Sequence, residues 1–159
     1  MKTLIIYASK YGTVADCATH LKSKLASDVT IVDVKKIDKD LKLEQFDTII
    51  IGGSIYAGSI SKALKSFCTQ NLEQLCQKNI GLFLCCGQMS EANEFFTKNF
   101  PSKLLKHAKM TLPFGSEARL EKMKLLDKSI LKAVTKGNFS SFKISYDHIE
   151  KFAETFNKM

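Results

Sequence analysis

Apolar residues run without alternation from Leu4 to Ala8, and a stretch rich in hydroxyls and glycine, Ser9-Lys10-Tyr11-Gly12-Thr13, follows them. Helical spacing then starts at Val14 and continues through Ala18, Leu21 and Leu25. The pattern predicts a buried strand, a loop, and a helix over about Thr13 to Ser27. The same alternation recurs along the chain. Val29 to Val34 is β-branched and predicts a second strand, Asp47 to Gly52 a third that is apolar enough for burial on both faces, and Asn79 to Cys86 a fourth. Ile60, Ala63, Leu64 and Phe67 mark a helix between the third and fourth strands. Phe95, Phe96, Phe100, Leu104 and Leu105 mark another over 91–108, interrupted near Pro101. Lys109 to Phe114 is a fifth strand, and Ser145 to Asn157, with Ile149, Phe152, Ala153 and Phe156 on one face, is a closing helix. Such alternation builds right-handed βαβ units and one parallel sheet, an α/β fold in a single domain over 1–159.

One stretch, 115–142, is surplus to that minimal fold. Its centre, Arg119 to Lys136, has helical spacing, with Met123, Leu126, Ile130 and Val134 on one side and Lys124, Lys128, Lys132 and Lys136 on another. From Gly115 to Lys136 six basic residues face three acidic ones, a net of +3. A basic helical insertion of this kind either packs on the domain with its lysines in water, or lies on an anionic membrane or guides an acidic substrate.

Composition narrows the classes. With 45% hydrophobic and 25% charged residues in 159, the chain reads as globular, and with no leader or membrane-length apolar run it is expected in the cytoplasm. The five cysteines show no CxxC or Cys/His spacing, so neither a disulfide framework nor a metal site is expected. A net charge of +8 invites a nucleic-acid reading, but the lysines are spread along the chain instead of clustering with stacking aromatics, so none is expected to bind. An anionic substrate or an acidic surface remains compatible.

The chemistry concentrates where strands end. The loop after the first strand aims backbone N–H groups and the positive end of a helix dipole at one point, which suits a phosphate; an ordinary strand-to-helix turn is the plainer alternative. It is neither a Walker A sequence nor the dinucleotide GxGxxG. After the third strand comes a glycine-rich loop, Gly52-Gly53-Ser54-Ile55-Tyr56-Ala57-Gly58-Ser59, whose backbone can approach a flat ligand closely. After the fourth comes Gly87-Gln88-Met89-Ser90, without an aromatic. The vicinal Cys85-Cys86 pair reads either as small hydrophobes at a strand end or as thiols within reach of a redox cofactor.

The first of these loops resembles the phosphate loop of the flavodoxin family, and the chain is similar to that family over nearly its whole length. The resemblance implies a sheet of order 2-1-3-4-5 with helices on both faces, the helical insertion lying near strand five, and FMN as cofactor. Ser9, Lys10, Tyr11, Gly12, Thr13 and Val14 would then hold the FMN phosphate, although Val14 stands where many members carry a hydroxyl. Ser54, Ile55, Tyr56, Ala57 and Gly58 would wrap one side of the isoalloxazine, with Tyr56 either stacked on the ring or a half-buried loop tyrosine. The Ala57-Gly58 peptide would turn toward flavin N5, and Cys86, Gly87 and Gln88 would meet the pyrimidine edge. An aromatic sandwich is not expected, which leaves one face open to a second reactant. IGGSIYAG (Ile51 to Gly58), Phe114-Gly115 and the basic insertion resemble the menaquinone-dependent protoporphyrinogen IX dehydrogenase branch. That implies an FMN oxidoreductase acting on an anionic porphyrin with a quinone, touching a membrane peripherally through 119–136. The alternatives are an electron carrier that docks redox partner proteins, and a flavin-free signalling module of the same fold. Against the last, Ser9 and Lys10 stand where a receiver module would need an acidic cluster. No catalytic residue is singled out.

Overall fold

The computed structural model describes residues 1–38, 40–140 and 142–159. Five parallel strands, β1 (Lys2–Ala8), β2 (Asp28–Asp33), β3 (Thr48–Ser54), β4 (Asn79–Cys85) and β5 (Met110–Pro113), form one sheet in the order β2-β1-β3-β4-β5. Leu4 lies opposite both Thr30 and Ile49, and Ile49 opposite Ile80, so the sequence runs are in register across the centre of the sheet.

The strands lack polar alternation because both of their faces are covered. Leu4, Ile6, Ile49, Ile51, Leu82 and Leu84 pack toward one layer, holding α2 (Lys62–Gln70), α3 (Leu72–Leu75), α4 (Ala92–Asn99) and α5 (Ser102–His107) through Leu64, Cys68, Leu75, Phe96, Phe100 and Leu104. Ile5, Ile50, Phe83 and Cys85 face the other layer, where α1 (Thr13–Lys24) and α7 (Tyr146–Asn157) contribute Val14, Leu21, Ile149, Phe152 and Phe156. Gly81 in β4 is what lets α7 come down: a Cβ there would lie 2.6 Å from the rings of Phe152 and Phe156. Phe83 and Phe114 stack at 4.4 Å with Phe152 edge-on to both. Fully burying each such ring is worth about 1.5–3 kcal/mol.

Several boundaries differ from the expected ones. The first helix stops at Lys24 instead of Ser27, because Leu25 turns extended while its N–H still caps the helix, and the Ala26 N–H goes to Asn157 on α7. β2 ends at Asp33, whose carboxylate accepts the Lys35 N–H and starts a 3-10 turn over Val34–Lys36. Pro101, which has no N–H to donate, splits the expected helix over 91–108 into α4 and α5. The largest difference is in 119–136. Arg119 to Lys124 is not α-helical: a 3-10 turn over Leu120–Lys122 leads to α6, Leu125–Thr135. Leu126, expected on its apolar face, is 71% exposed, and Leu125 82%. Asp127 is turned inward, and Leu126, about 100° away on a helix, is rotated out. Among the described residues no helix is long and apolar enough to cross a membrane.

Candidate functional site

A parallel sheet delivers every strand's C-terminal end to the same edge, so the loops after β1, β3 and β4 meet. They enclose a cavity of about 340 Å³. The first loop gives it Ser9, Lys10, Tyr11, Thr13 and Val14, the second Ser54, Ile55, Tyr56, Ala57 and Gly58, and the third Cys86, Gly87 and Gln88. Of the residues the sequence nominates, Gly12 alone is not in the wall. It works behind it, at φ +95°, as the residue that caps α1, and its N–H donates to Ser9 Oγ at 3.0 Å. The amides that open a helix have no intrahelical acceptor. Among the described residues none accepts from the N–H of Lys10, Tyr11, Thr13 or Val14.

The second loop is a tight two-residue turn. Tyr56 and Ser59 exchange backbone bonds of 2.9 and 3.0 Å, and the residues between them, Ala57 and Gly58, both have positive φ (47° and 75°). Such a turn suits glycine at both central positions, and Ala57 holds its conformation against strain. A side chain the sequence did not flag fixes it. Buried Asn99 of α4 accepts the Ile60 N–H at 3.0 Å and donates to the Gly58 carbonyl at 3.1 Å.

The far wall comes from the 115–142 segment. Ser116, Glu117, Arg119, Met123, Ile130, Leu131, Val134, Thr135 and Phe142 all face the cavity, joined by Glu91 and Phe95. The Phe142 ring packs on Gly87, where a Cβ would lie 2.2 Å from it. The loop after β4 has no aromatic of its own, and the Phe142 ring reaches this end of the cavity from elsewhere in the chain.

Two charged groups of this segment are pinned to the β1 loop. Asp127, 5% exposed, accepts hydrogen bonds from the hydroxyls of Tyr11 and Tyr56 and pairs with Lys10 Nζ at 2.6 Å. Lys10 Nζ also sits over the Tyr56 ring, 4.2 Å from its centroid. The Lys10 ammonium and the two hydroxyls hold the Asp127 carboxyl well below the usual carboxylate range. Burial, then the bond to Asp127, pushes the Tyr56 hydroxyl up to about 12. Arg119 is the second pin. Its Nη2 reaches Asp16 at 2.6 Å and Glu117 at 2.8 Å, and Nη1 leans on the Tyr11 carbonyl at 3.4 Å.

Burial works against thiol exchange at Cys85 and Cys86. Cys85 Sγ is buried 3.8 Å from Cys17 Sγ, and that contact together with burial raises its thiol pKa; burial pushes Cys86 up to about 11. His107 and His148 are tied to the carbonyls of Lys78 and Pro113 at 2.8 and 2.7 Å, which makes them structural.

A family model described as "Flavodoxin domain" matches residues 4–142. The solved structures similar to this chain include the two-electron reduced flavodoxin of Megasphaera elsdenii, 15% identical with a TM-score of 0.59 and 99% of each chain covered. A Streptococcus pneumoniae flavodoxin is 17% identical, with a TM-score of 0.55 over 98% of this chain and 97% of that one. A flavodoxin from the domain Archaea is 16% identical, with a TM-score of 0.54 over 98% and 99%. None of the curated proteins matches significantly. At these identities the structures speak for the fold, while the family model spans most of the sequence: the chain belongs to the flavodoxin domain family.

Proposed function

We propose that the cavity holds FMN noncovalently and that the protein carries electrons for a redox partner protein. One observation carries this reading: three loops converge on a cavity whose β1 end presents amides without an acceptor among the described residues, at the start of a 12-residue helix. The fit to FMN is consistent along its length. The amides of Lys10, Tyr11, Thr13 and Val14, with the hydroxyls of Ser9 and Thr13, offer a phosphate its donors. The Tyr56–Ser59 turn, Gly87 and Phe142 bound a space for a planar ring, and the amides of the third loop suit its polar edge. FMN supplies the electron chemistry when bound; the chain positions it, shields it and sets its field. The chain's charge of +8 favours the reduced, anionic flavin and so a higher potential than an acidic carrier would have.

Titrating the purified protein with FMN tests the proposal. A saturable change in the flavin absorbance bands is expected, and no change at high FMN overturns it.

A finer reading is favoured by the 115–142 segment, which we take to be an insertion into a single domain. Met123, Ile130, Leu131 and Val134 give the cavity an apolar wall, while Lys122, Lys124, Lys132 and Lys136 and the bare Leu125 and Leu126 face out. An apolar wall with a basic rim suits a flat anionic substrate such as a porphyrinogen, a quinone as acceptor, and contact with an anionic membrane. Turnover of protoporphyrinogen with menaquinone, in the absence of any other protein, separates this dehydrogenase from a plain electron carrier.

A further inference from the structure

Leu125 and Leu126 are the most exposed large apolar side chains among the described residues, at 82% and 71%. Their place is fixed from both sides. The Lys124 N–H reaches the Tyr11 hydroxyl at 3.4 Å, and Asp127 is bonded to Tyr11 and Tyr56 and paired with Lys10, so the leucine pair stands on the rim of the cavity beside the β1 loop. The side chains around it are basic. Lys98 comes from α4 to the β3 loop, its Nζ 3.4 Å from where a Cβ on Gly58 would lie. Lys122 and Lys124 precede α6, and Lys128, Lys132 and Lys136 follow along it. Among the described residues no carboxylate pairs with any of these six. Two of the nearby acids are already used, Asp127 on Lys10 and Glu117 on Arg119, which leaves Glu91, Glu94 and Glu121 against the lysines.

The charge limits what can cover the leucines. A second copy of this chain would bring the same lysines against them, and like charges set face to face repel. An anionic membrane fits the charge but not the shape. α6 has 11 residues, and its apolar face, Ile130, Leu131 and Val134, is turned to the cavity. At about 100° per residue, Leu125 and Lys132 lie on the side away from Asp127, so the outer surface of the helix shows two adjacent leucines among lysines and no continuous apolar stripe. A helix lying in a lipid interface needs such a stripe. A small apolar centre inside a charged rim is the anatomy of a protein interface, and the sign of the rim selects an acidic partner.

We propose, on the electron-carrier reading above, that this rim is the docking face for a redox protein whose own reducible centre lies behind an acidic patch, with Leu125 and Leu126 seated at its middle. Two haem proteins of opposite surface charge probe it, acidic cytochrome b5 and basic cytochrome c, each titrated at low salt into the isotope-labelled, FMN-treated protein and followed by amide chemical shifts. Cytochrome b5 should bind and shift the amides of Leu125, Leu126 and Lys98, and moderate salt should weaken it about tenfold. Cytochrome c should not bind. Lys98→Glu with Lys124→Glu should weaken the complex about tenfold, and Leu125→Ser with Leu126→Ser by about the same factor without changing the salt dependence. None of these side chains lines the cavity, so FMN affinity should hold in both pairs. Lys151→Glu with Lys158→Glu makes the same charge change at α7 and controls for general attraction to a chain of charge +8. A loss there as large as in the rim variants, a preference for cytochrome c, or binding of neither overturns the inference. So does capture by phosphatidylglycerol vesicles that the serine pair abolishes while cytochrome b5 stays unbound, which gives the face to a lipid surface. A protein that takes up FMN and docks neither haem protein loses this inference alone. One that docks cytochrome b5 at the rim and takes up no FMN keeps the acidic partner and loses the carrier reading.

Discussion

The cavity has two walls of different construction. Its inner wall consists of loops that leave buried strands, held by backbone bonds, the Asn99 clamp and the aromatic cluster beneath. Its outer wall, α6 and the residues before it, touches the rest chiefly through two ion-paired pins, Asp127 and Arg119, and leaves Leu125, Leu126 and Val134 exposed. Packing grows with buried area and cannot be released piecemeal, whereas a pin made of charged and hydroxyl groups competes with water. The inner wall should therefore fail only with the whole fold, and the outer wall on its own.

The largest expected effect tests the first half of that contrast. Phe152→Ala empties a fully buried ring site shared by Phe83, Phe114 and Phe156, and should cost about 3–5 kcal/mol. Urea unfolding should show the loss in the midpoint, with every probe falling together. Asn99→Ala comes next. It leaves the buried Ile60 N–H and the Gly58 carbonyl without their partner, which costs about 1–3 kcal/mol and loosens the Tyr56–Ser59 turn. Amide exchange at Ile60 and Ser59 should rise ahead of exchange in β3; a uniform rise would mean that the clamp serves the core and not the loop.

How much of each wall the sequence reveals follows from the same contrast. Strands buried on both faces leave apolar runs such as Ile49-Ile50-Ile51, and a loop that needs positive φ leaves a glycine such as Gly12 or Gly58, so the sheet and the nominated loop residues are visible in one dimension. The outer wall is not, because its partners are remote: Asp127 meets Tyr11 across 116 positions and Tyr56 across 71. Helical periodicity assigned the face to Leu126, and three donors on other loops outweighed it. A faint signal existed, since Asp127 interrupts the stripe Met123, Ile130, Val134 as an acidic residue among lysines, and Arg119 is the lone arginine. Asn99, one amide in a polar helix turn, carried no signal at all.

Asp127→Asn tests the second half. The amide keeps a hydrogen-bonding shape but removes the charge that Lys10 and both tyrosines answer, so α6 should exchange about tenfold faster while the urea midpoint hardly moves. The pH dependence has a fixed sign. A carboxyl held below its ordinary pKa contributes fully above about pH 4 and loses that contribution as pH falls. A hydroxyl raised to about 12 keeps its contribution below its ordinary pKa of about 10 and loses it between the two values. Protection of α6 should thus decline at both ends of the pH range, the acid decline should vanish in D127N, and the late tyrosine absorbance change should vanish in Tyr56→Phe. An α6 that stays protected in D127N would show that apolar contact, not the pin, closes the outer wall.

The smallest effect sits inside the inner wall and sets two terms against each other. Ala57 at φ 47° bears a left-handed conformation that costs an L-residue about 1–2 kcal/mol. Ala57→Gly removes that strain but frees the unfolded chain, which costs about 0.4–1 kcal/mol. The difference favours the variant by about 0.5–1 kcal/mol, enough to raise the thermal midpoint by a few degrees in a chain of this size. A lowered midpoint would mean that the Ala57 methyl packs in the cavity wall strongly enough to offset its strain. The turn would then be held by side-chain contact as well as by its backbone, and the two walls would differ less than their bonds suggest.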